Sequence, residues 1–177
     1  NQVNAIAAQT GDLNFRNNAS LRVGSADGLA GIVSTAGVDV RLTGTSADLT
    51  LQQAVSAGNG AQQQTGVLLA AGRNFINQAG SNAVSTGNGR WLVYSTSPLN
   101  DSRGGLAPQF KQYNADTGTA VLDADSGFLY RVAPTVGVAL TGAASKTYDG
   151  NTDAALGGIG YTVSSGAIDG DTVVVSG

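Results

Sequence analysis

Few side chains in this sequence could do chemistry. His, Glu and Cys are absent, and all twelve acidic residues are Asp. A catalytic site built from what remains would need paired aspartates for glycoside hydrolysis, or an Asp-bound Ca²⁺ with a Lys or Arg base. The carboxylates are densest at Asp123-Ala124-Asp125-Ser126-Gly127 and at Asp169-Gly170-Asp171. Asp123 and Asp125 begin with the spacing of a calcium loop, but the third acidic ligand and the terminal Glu of such a loop are missing. They are the only metal candidates, and a turn between strands is the expected role of both pairs. No catalytic residue and no cofactor is expected.

Three further groups invite a functional reading. Trp91, Tyr94, Tyr113 and Tyr130 are the available platforms for stacking on sugar rings. They would bind a ligand only if two rings stayed exposed on one face; burial in a local core is the expectation. Lys146 with Asp149 and Asn151 has the residue types of a spontaneous isopeptide crosslink. That reaction needs adjacent strands and a carboxylate in an apolar setting, so the expected structure is a turn with a tight bend at Asp149-Gly150 and Tyr148 packed inward. Gly24-Ser25-Ala26-Asp27-Gly28 lacks the helix and the Lys of a phosphate-binding loop, and its glycines read as turn residues.

The elements that would position these residues are strands. The chain has 177 residues, of which 41% are apolar, 6% aromatic and 12% charged, with 26 Gly. Asp favours turns where Glu favours helices, so the acidic set argues against helical architecture. A net charge of -3 with nine scattered Lys and Arg excludes an electrostatic nucleic-acid surface. No apolar run reaches the roughly 18 residues that a membrane-spanning helix needs.

Period-two alternation recurs in short bursts: Leu13-Asn14-Phe15, Leu21-Arg22-Val23, Val38-Asp39-Val40-Arg41-Leu42 and Asp48-Leu49-Thr50-Leu51. Each is bounded by Gly, Asn, Asp or Ser, the pattern of short half-buried strands joined by turns. Gly31-Ile32-Val33-Ser34-Thr35-Ala36-Gly37 aligns with Gly66-Val67-Leu68-Leu69-Ala70-Ala71-Gly72, which suggests a repeat of 35 residues with Val40 opposite Phe75 and Leu49 opposite Val84. A fixed-period pattern of Gly-bounded strands predicts a solenoid; an antiparallel sandwich is the alternative. Val33, Val40, Leu42, Leu49, Leu51, Leu68 and Phe75 are expected to point inward. Leu51 to Ala57 reads as an insertion between coils or a short helical stretch.

At Gly89-Arg90-Trp91-Leu92-Val93-Tyr94-Ser95 both faces turn apolar, so this strand must be covered on two sides. The stretch from Pro98 to Tyr113 is expected to be a loop folding back over the last coil, with Phe110, Tyr113, Phe128 and Tyr130 supplying cover. Alternation restarts at Val136-Gly137-Val138-Ala139-Leu140.

The runs Gly89 to Pro98, Gly104 to Asn114, Gly127-Phe128-Leu129-Tyr130 and Lys146-Thr147-Tyr148-Asp149-Gly150-Asn151-Thr152 together resemble the C-terminal parts of filamentous-haemagglutinin-like exoproteins of two-partner secretion. The last of them is similar to the opening of the YDG domain that follows the shaft in that family. The resemblance implies an all-β fold, a right-handed parallel β-helix with a C-terminal cap followed by part of a small β-sandwich-like domain. The expected division is coils over 1–98, cap and connector over 99–133, and the beginning of a truncated YDG-like domain over 134–177. It further implies a structural and adhesive role in attachment or biofilm matrix, on the outer surface of a Gram-negative bacterium or secreted from it. The implied partners are a host-cell or matrix receptor, with a glycan as one form, and an outer-membrane secretion partner acting through an N-terminal domain outside this chain. A carbohydrate-active β-helix enzyme or carbohydrate-binding module is the alternative, since fold does not decide function.

Overall fold

The computed structural model of the chain describes residues 1–58, 65–153, 157–168 and 171–175. These residues form strands and turns and no helix. They fall into two compact units, Asn1–Ala133 and Pro134–Gly177.

The first unit is a parallel β-solenoid. The chain passes through β1 (Ala5–Ile6), β2 (Ala8–Thr10), β3 (Leu13–Asn17), β4 (Leu21–Val23), the small hairpin of β5 (Ser25–Ala26) and β6 (Leu29–Ala30), β7 (Ile32–Ser34) and β8 (Val38–Leu42). It continues with β9 (Leu49–Leu51), β10 (Val55–Ala57), β11 (Thr65–Ala70), β12 (Phe75–Asn77), β13 (Val84–Thr86) and β14 (Arg90–Ser95). Successive coils stack β1-β4-β9-β12 into a first face and β2-β7-β10-β13 into a second, while β3-β8-β11-β14 form most of a third. Every pairing between coils is parallel. Three turns therefore separate β1 from β12.

Alternation selects the inside of the coil. In β8, Val38, Val40 and Leu42 are buried while Asp39 and Arg41 turn outward and remain half-exposed. The registers place like on like: Leu21 on Leu49 on Phe75 in the first face, Ile32 on Val55 on Val84 in the second, and Phe15 on Val40 on Leu69 on Val93 in the third. Val40, Leu42, Leu49, Leu51 and Phe75 are buried as expected. Val33 and Leu68 are not inward. Val33 is 45% exposed, with Ile32 and Ser34 taking the buried places beside it. Leu68 lies outward between buried Val67 and Leu69. A shift of one residue in a strand exchanges its two faces, and in both strands the apolar run offered no alternation to fix the choice.

The repeat of 35 residues is also corrected. Ile32 pairs with Val55, 23 residues on, Val55 with Val84, 29 on, and Leu49 with Phe75, 26 on. The aligned glycine-bounded runs belong to different faces, β7 to the second and β11 to the third. Gln52, Gln53 and Ala54 form neither helix nor insertion; they make the corner between β9 and β10, where the Gln52 and Gln53 amides donate to the Val23 carbonyl of the coil before. Glycine is required at another corner. A Cβ on Gly44 would overlap the Asn18 carbonyl oxygen, and one on Gly72 the Gly44 carbonyl oxygen, so backbone stacks directly on backbone there. Within the hairpin, Asp27 (φ 48°) and Gly28 (φ 82°) supply the left-handed pair that a tight two-residue turn demands.

The end of the stack inverts chain order. β15 (Phe110–Tyr113) and β16 (Gly127–Tyr130) extend the third face in the order β15-β16-β14. The chain thus passes over one strand position, makes the outermost strand, and returns to fill the gap. Phe110 to Tyr113 is therefore a strand of the sheet and not part of a loop lying across it. Within the first face, Ser102 bridges to Ile76 in parallel and adds a final rung. Both sides of β14 are covered: Trp91 and Val93 join the main core with Phe128 and Tyr130, and Leu92 and Tyr94 form an outer cluster with Ala70, Ala115 and Leu129, against which Phe110 and Val121 pack. Gln112 holds the connecting loop, accepting from the Leu122 amide (3.0 Å) and donating to the Ala120 carbonyl (2.9 Å).

The second unit is an antiparallel pair, β17 (Gly137–Gly142) with β18 (Ile159–Ser165), setting Leu140 opposite Tyr161 and Val138 opposite Val163. Among the described residues it has one two-stranded sheet and no second layer. Leu140 is 69% exposed, and Tyr148, expected to pack inward, is 93% exposed, because two strands give it nothing to pack beneath.

Two measurements follow from this architecture. Val40→Asp should lower the unfolding free energy by at least about 3 kcal/mol, since an unpaired charge would enter the core, whereas Val33→Asp should change it by less than about 1 kcal/mol; equal effects in urea unfolding would refute the assigned register. In hydrogen exchange read by mass spectrometry, β17 and β18 should exchange faster than β8, β11 and β14. Equal protection would show that the hairpin is stabilised beyond its own two strands.

Candidate functional site

The outer surface of the third face carries a cluster of charged side chains. Alternation turns Asp39 and Arg41 outward from β8, and the coil before brings Arg16 beside them. The single Asp39 carboxylate accepts from both guanidiniums: from Arg16 Nη1 and Nη2 at 3.1 and 3.2 Å, and from Arg41 Nε and Nη2 at 2.9 Å each. The hydrogen bond to Asp39 holds the Arg41 pKa above its ordinary value.

Arg41 and Arg16 border a groove of about 310 Å³, which also meets Arg131, Asp116 and an apolar floor of Leu42, Ala70 and Ala71. Arg131 is anchored through Nη2 to the Gly72 carbonyl and the Thr96 hydroxyl. The Gly118 amide and Thr119 hydroxyl donate to Asp116 and lower its pKa. A second hollow of about 310 Å³ shares Arg41 and continues along the same face past Asp39, Asn14 and Thr65.

The aromatic candidates do not form a platform. Trp91, Tyr94 and Tyr130 are buried and Tyr113 is partly buried against the core. Phe128 makes edge contacts with Phe75 (centroids 5.7 Å) and Trp91 (5.5 Å) and stacks on Tyr130 (6.0 Å), which in turn stacks on Tyr113 (5.7 Å). The condition of two rings exposed on one face is not met; Tyr94 alone reaches the groove, by its edge. Burial raises the Tyr94 pKa.

Asp123 and Asp125 are exposed and belong to a turn in which the Asp125 amide donates to Asp123 Oδ1 (2.9 Å), while Arg90 Nη1 donates to the Asp123 carbonyl. Among the described residues no three His, Cys, Asp or Glu side chains are grouped to hold a metal ion. Asp169 lies outside the described residues, and the Asp171 amide donates to the Ile168 carbonyl. The Lys146 side chain does meet its two suspected partners, pairing with Asp149 (2.8 Å) and donating to the Asn151 carbonyl (2.9 Å). All three residues sit in one exposed loop rather than on adjacent strands, in the solvated setting that disfavours isopeptide chemistry.

Among the described residues one carboxyl, Asp101, is strongly perturbed, and it was not singled out from the sequence. Asp101 lies in the final rung of the first face, where Oδ1 accepts from the Phe75 amide (2.8 Å) and Oδ2 from the Ser95 hydroxyl (2.6 Å). Burial raises its pKa to about 6, against those two hydrogen bonds. Nothing in Leu99-Asn100-Asp101-Ser102 announced this, because the burial comes from a strand 26 residues away. Comparisons with protein-family models, curated proteins and solved structures found no match. The fold and the site therefore define a class, a parallel β-solenoid with an arginine-bordered outer groove.

Asp101 sets a pH dependence. Its folded pKa, near 6, exceeds the ordinary 3.8, so the folded state holds the proton more tightly, and stability should fall as pH rises from about 4 to about 6 and stay level above. Two pKa units correspond to about 3 kcal/mol. Asp48, paired with Arg73, has a lowered pKa and acts in the opposite sense below about pH 4. Urea unfolding across pH 4–7 should show the loss in the native chain. It should vanish in Asp101→Asn, which keeps the acceptor for the Phe75 amide; a slope surviving in that variant would assign it to another group.

Proposed function

We propose that the chain is a structural and adhesive segment of a large bacterial surface or secreted adhesin, a length of β-solenoid shaft with its closing coil, and that it carries no catalysis. The observation that supports this best is the stack itself. Each coil offers the same three apolar columns to the next, and this regularity builds length and stiffness from a short repeat. Four carboxylates of the solenoid brace it: Asp39 and Asp48 pair with arginines of their own or a neighbouring coil, Asp101 accepts from a backbone amide and Asp123 holds its own turn.

The resemblance to filamentous-haemagglutinin-like exoproteins agrees with this reading. On this reading the parent protein would stand at the cell exterior of a Gram-negative bacterium, exported through an outer-membrane partner and engaging a host-cell or matrix receptor. The hairpin of the second unit would then be the start of the YDG-type domain. Among the described residues no helix is long and apolar enough to cross a membrane, which suits a shaft.

Incubation with a panel of polysaccharides, followed by measurement of reducing ends and of unsaturated products, should give no signal above buffer. Reproducible turnover of any one polymer, abolished by substitution of an Asp on the third face, would replace the scaffold reading with an enzyme.

A further inference from the structure

The outer groove of the third face differs in charge from the molecule around it. The chain has a net charge of -3, yet the first hollow is bordered by three guanidiniums, Arg16, Arg41 and Arg131, against one carboxylate, Asp116, while Asp39, which pairs with Arg16 and Arg41, lines the adjoining hollow. Asp39 is shared by two arginines and cannot satisfy the donors of both, because each guanidinium carries five N–H groups. Between the charges lies an apolar floor of Leu42, Ala70 and Ala71. The two hollows meet at Arg41 and run along one face of the coil stack, so the surface suits an extended occupant more than a compact one.

We infer that this groove binds a linear carboxylated polysaccharide, a uronic acid chain, with Arg16, Arg41 and Arg131 taking carboxylate groups. Each part of such a sugar finds a matching group. Arg16 and Arg41 keep N–H groups beyond those given to Asp39, and Arg131, whose Nη2 is held by Gly72 and Thr96, offers Nε and Nη1, so each is a charge-assisted donor for a carboxylate. The Asp116 carboxylate, held in place by the Gly118 amide and the Thr119 hydroxyl, is an acceptor for sugar hydroxyls. The apolar floor receives the C–H face of a pyranose ring, which a small inorganic anion does not possess. A groove of about 310 Å³ stands at the lower end of the range for small-ligand sites, room for one or two rings, and the second hollow continues the track. The inference goes beyond the scaffold reading and does not depend on it: a shaft without this site remains a shaft, and a bound polymer that is not cleaved leaves the scaffold reading intact.

Calorimetric titration of the whole chain with tri-galacturonate at low ionic strength tests it, with neutral maltotriose as the comparison. Binding of the acidic sugar and none of the neutral one is expected. Arg131→Gln and Arg41→Gln should each weaken it about tenfold, the loss of one charge-assisted hydrogen bond, while Arg22→Gln, on the first face, should leave it unchanged. Thermal melting verifies that each variant is folded, and Arg131→Lys, which keeps the charge but loses the guanidinium anchored on Gly72 and Thr96, should fall between native and Gln. On the native chain alone, affinity should drop as salt is raised. Equal binding of maltotriose, indifference to salt, or full affinity in Arg131→Gln would overturn the assignment. Tighter binding of a sulfated oligosaccharide of the same length would overturn the carboxylate in particular.

Discussion

The whole solenoid depends on one constraint: neighbouring coils are joined by parallel backbone ladders, so their spacing and register are set before any side chain is chosen. Strands in such a ladder lie about 4.8 Å apart, close to the thickness of an aliphatic side chain. An inward residue therefore rests on the inward residue of the coil before it. The columns Leu21-Leu49-Phe75 and Phe15-Val40-Leu69-Val93 are the direct result. This explains a composition rich in Ala, Val and Leu and poor in aromatics. A large ring in mid-column would force two coils apart unless its neighbours shrank to match.

Aromatic rings accordingly gather where the constraint relaxes. Past β14 the regular coils end, and Phe128, which continues the third column on Val93, makes edge contacts with Phe75 and Trp91 and stacks on Tyr130, which stacks on Tyr113. The inverted order β15-β16-β14 belongs to the same solution. Gly127 lies beneath the Phe110 ring, where any Cβ would collide with it, so the returning strand enters between two strands only by presenting glycine at the crowded position. The outer side of β14 is closed at the same time by Leu129, Ala115 and Phe110, which is why a strand with two apolar faces can end a shaft without exposing either.

Strand content, the bounding turns and the double cover over Trp91 to Tyr94 were legible in the sequence because they are local properties. Alternation in Val38 to Leu42 identifies both the inward column and the outward Asp39 and Arg41. The phase of the coil was not legible. A triangular coil has three faces and corners of unequal length, so a run such as Gly66 to Gly72 carries no mark of which face it occupies, and its resemblance to Gly31 to Gly37 joined two different faces. Val33 and Leu68 went wrong for a related reason: each sits in an unbroken apolar run where alternation is silent. The groove could be half foreseen. Arg41 and Asp39 are outward by alternation, but Arg131 reaches them only through the late strand β16, and no spacing in the sequence predicts that encounter.

Part of the use of Asp follows from the same inter-coil spacing. Asp12 accepts from the Gly37 amide (3.1 Å), Asp48 from the Asn74 amide (3.1 Å) and Asp101 from the Phe75 amide (2.8 Å). In each case a carboxylate at a corner reaches the backbone of an adjacent coil. These amides sit where the ladder is interrupted, and an unsatisfied donor there would be costly. A side chain with one methylene suits the gap: it spans about one coil spacing with little rotamer entropy to lose, whereas Glu would bring an extra torsion to be frozen. Asp48 adds a second brace by pairing with Arg73 through both oxygens, at 2.9 and 2.7 Å. Asp12, Asp48 and Asp101 are thus groups the stack uses to tie its corners. A coil built this way leaves its outward strand positions as the surface on which recognition can be placed.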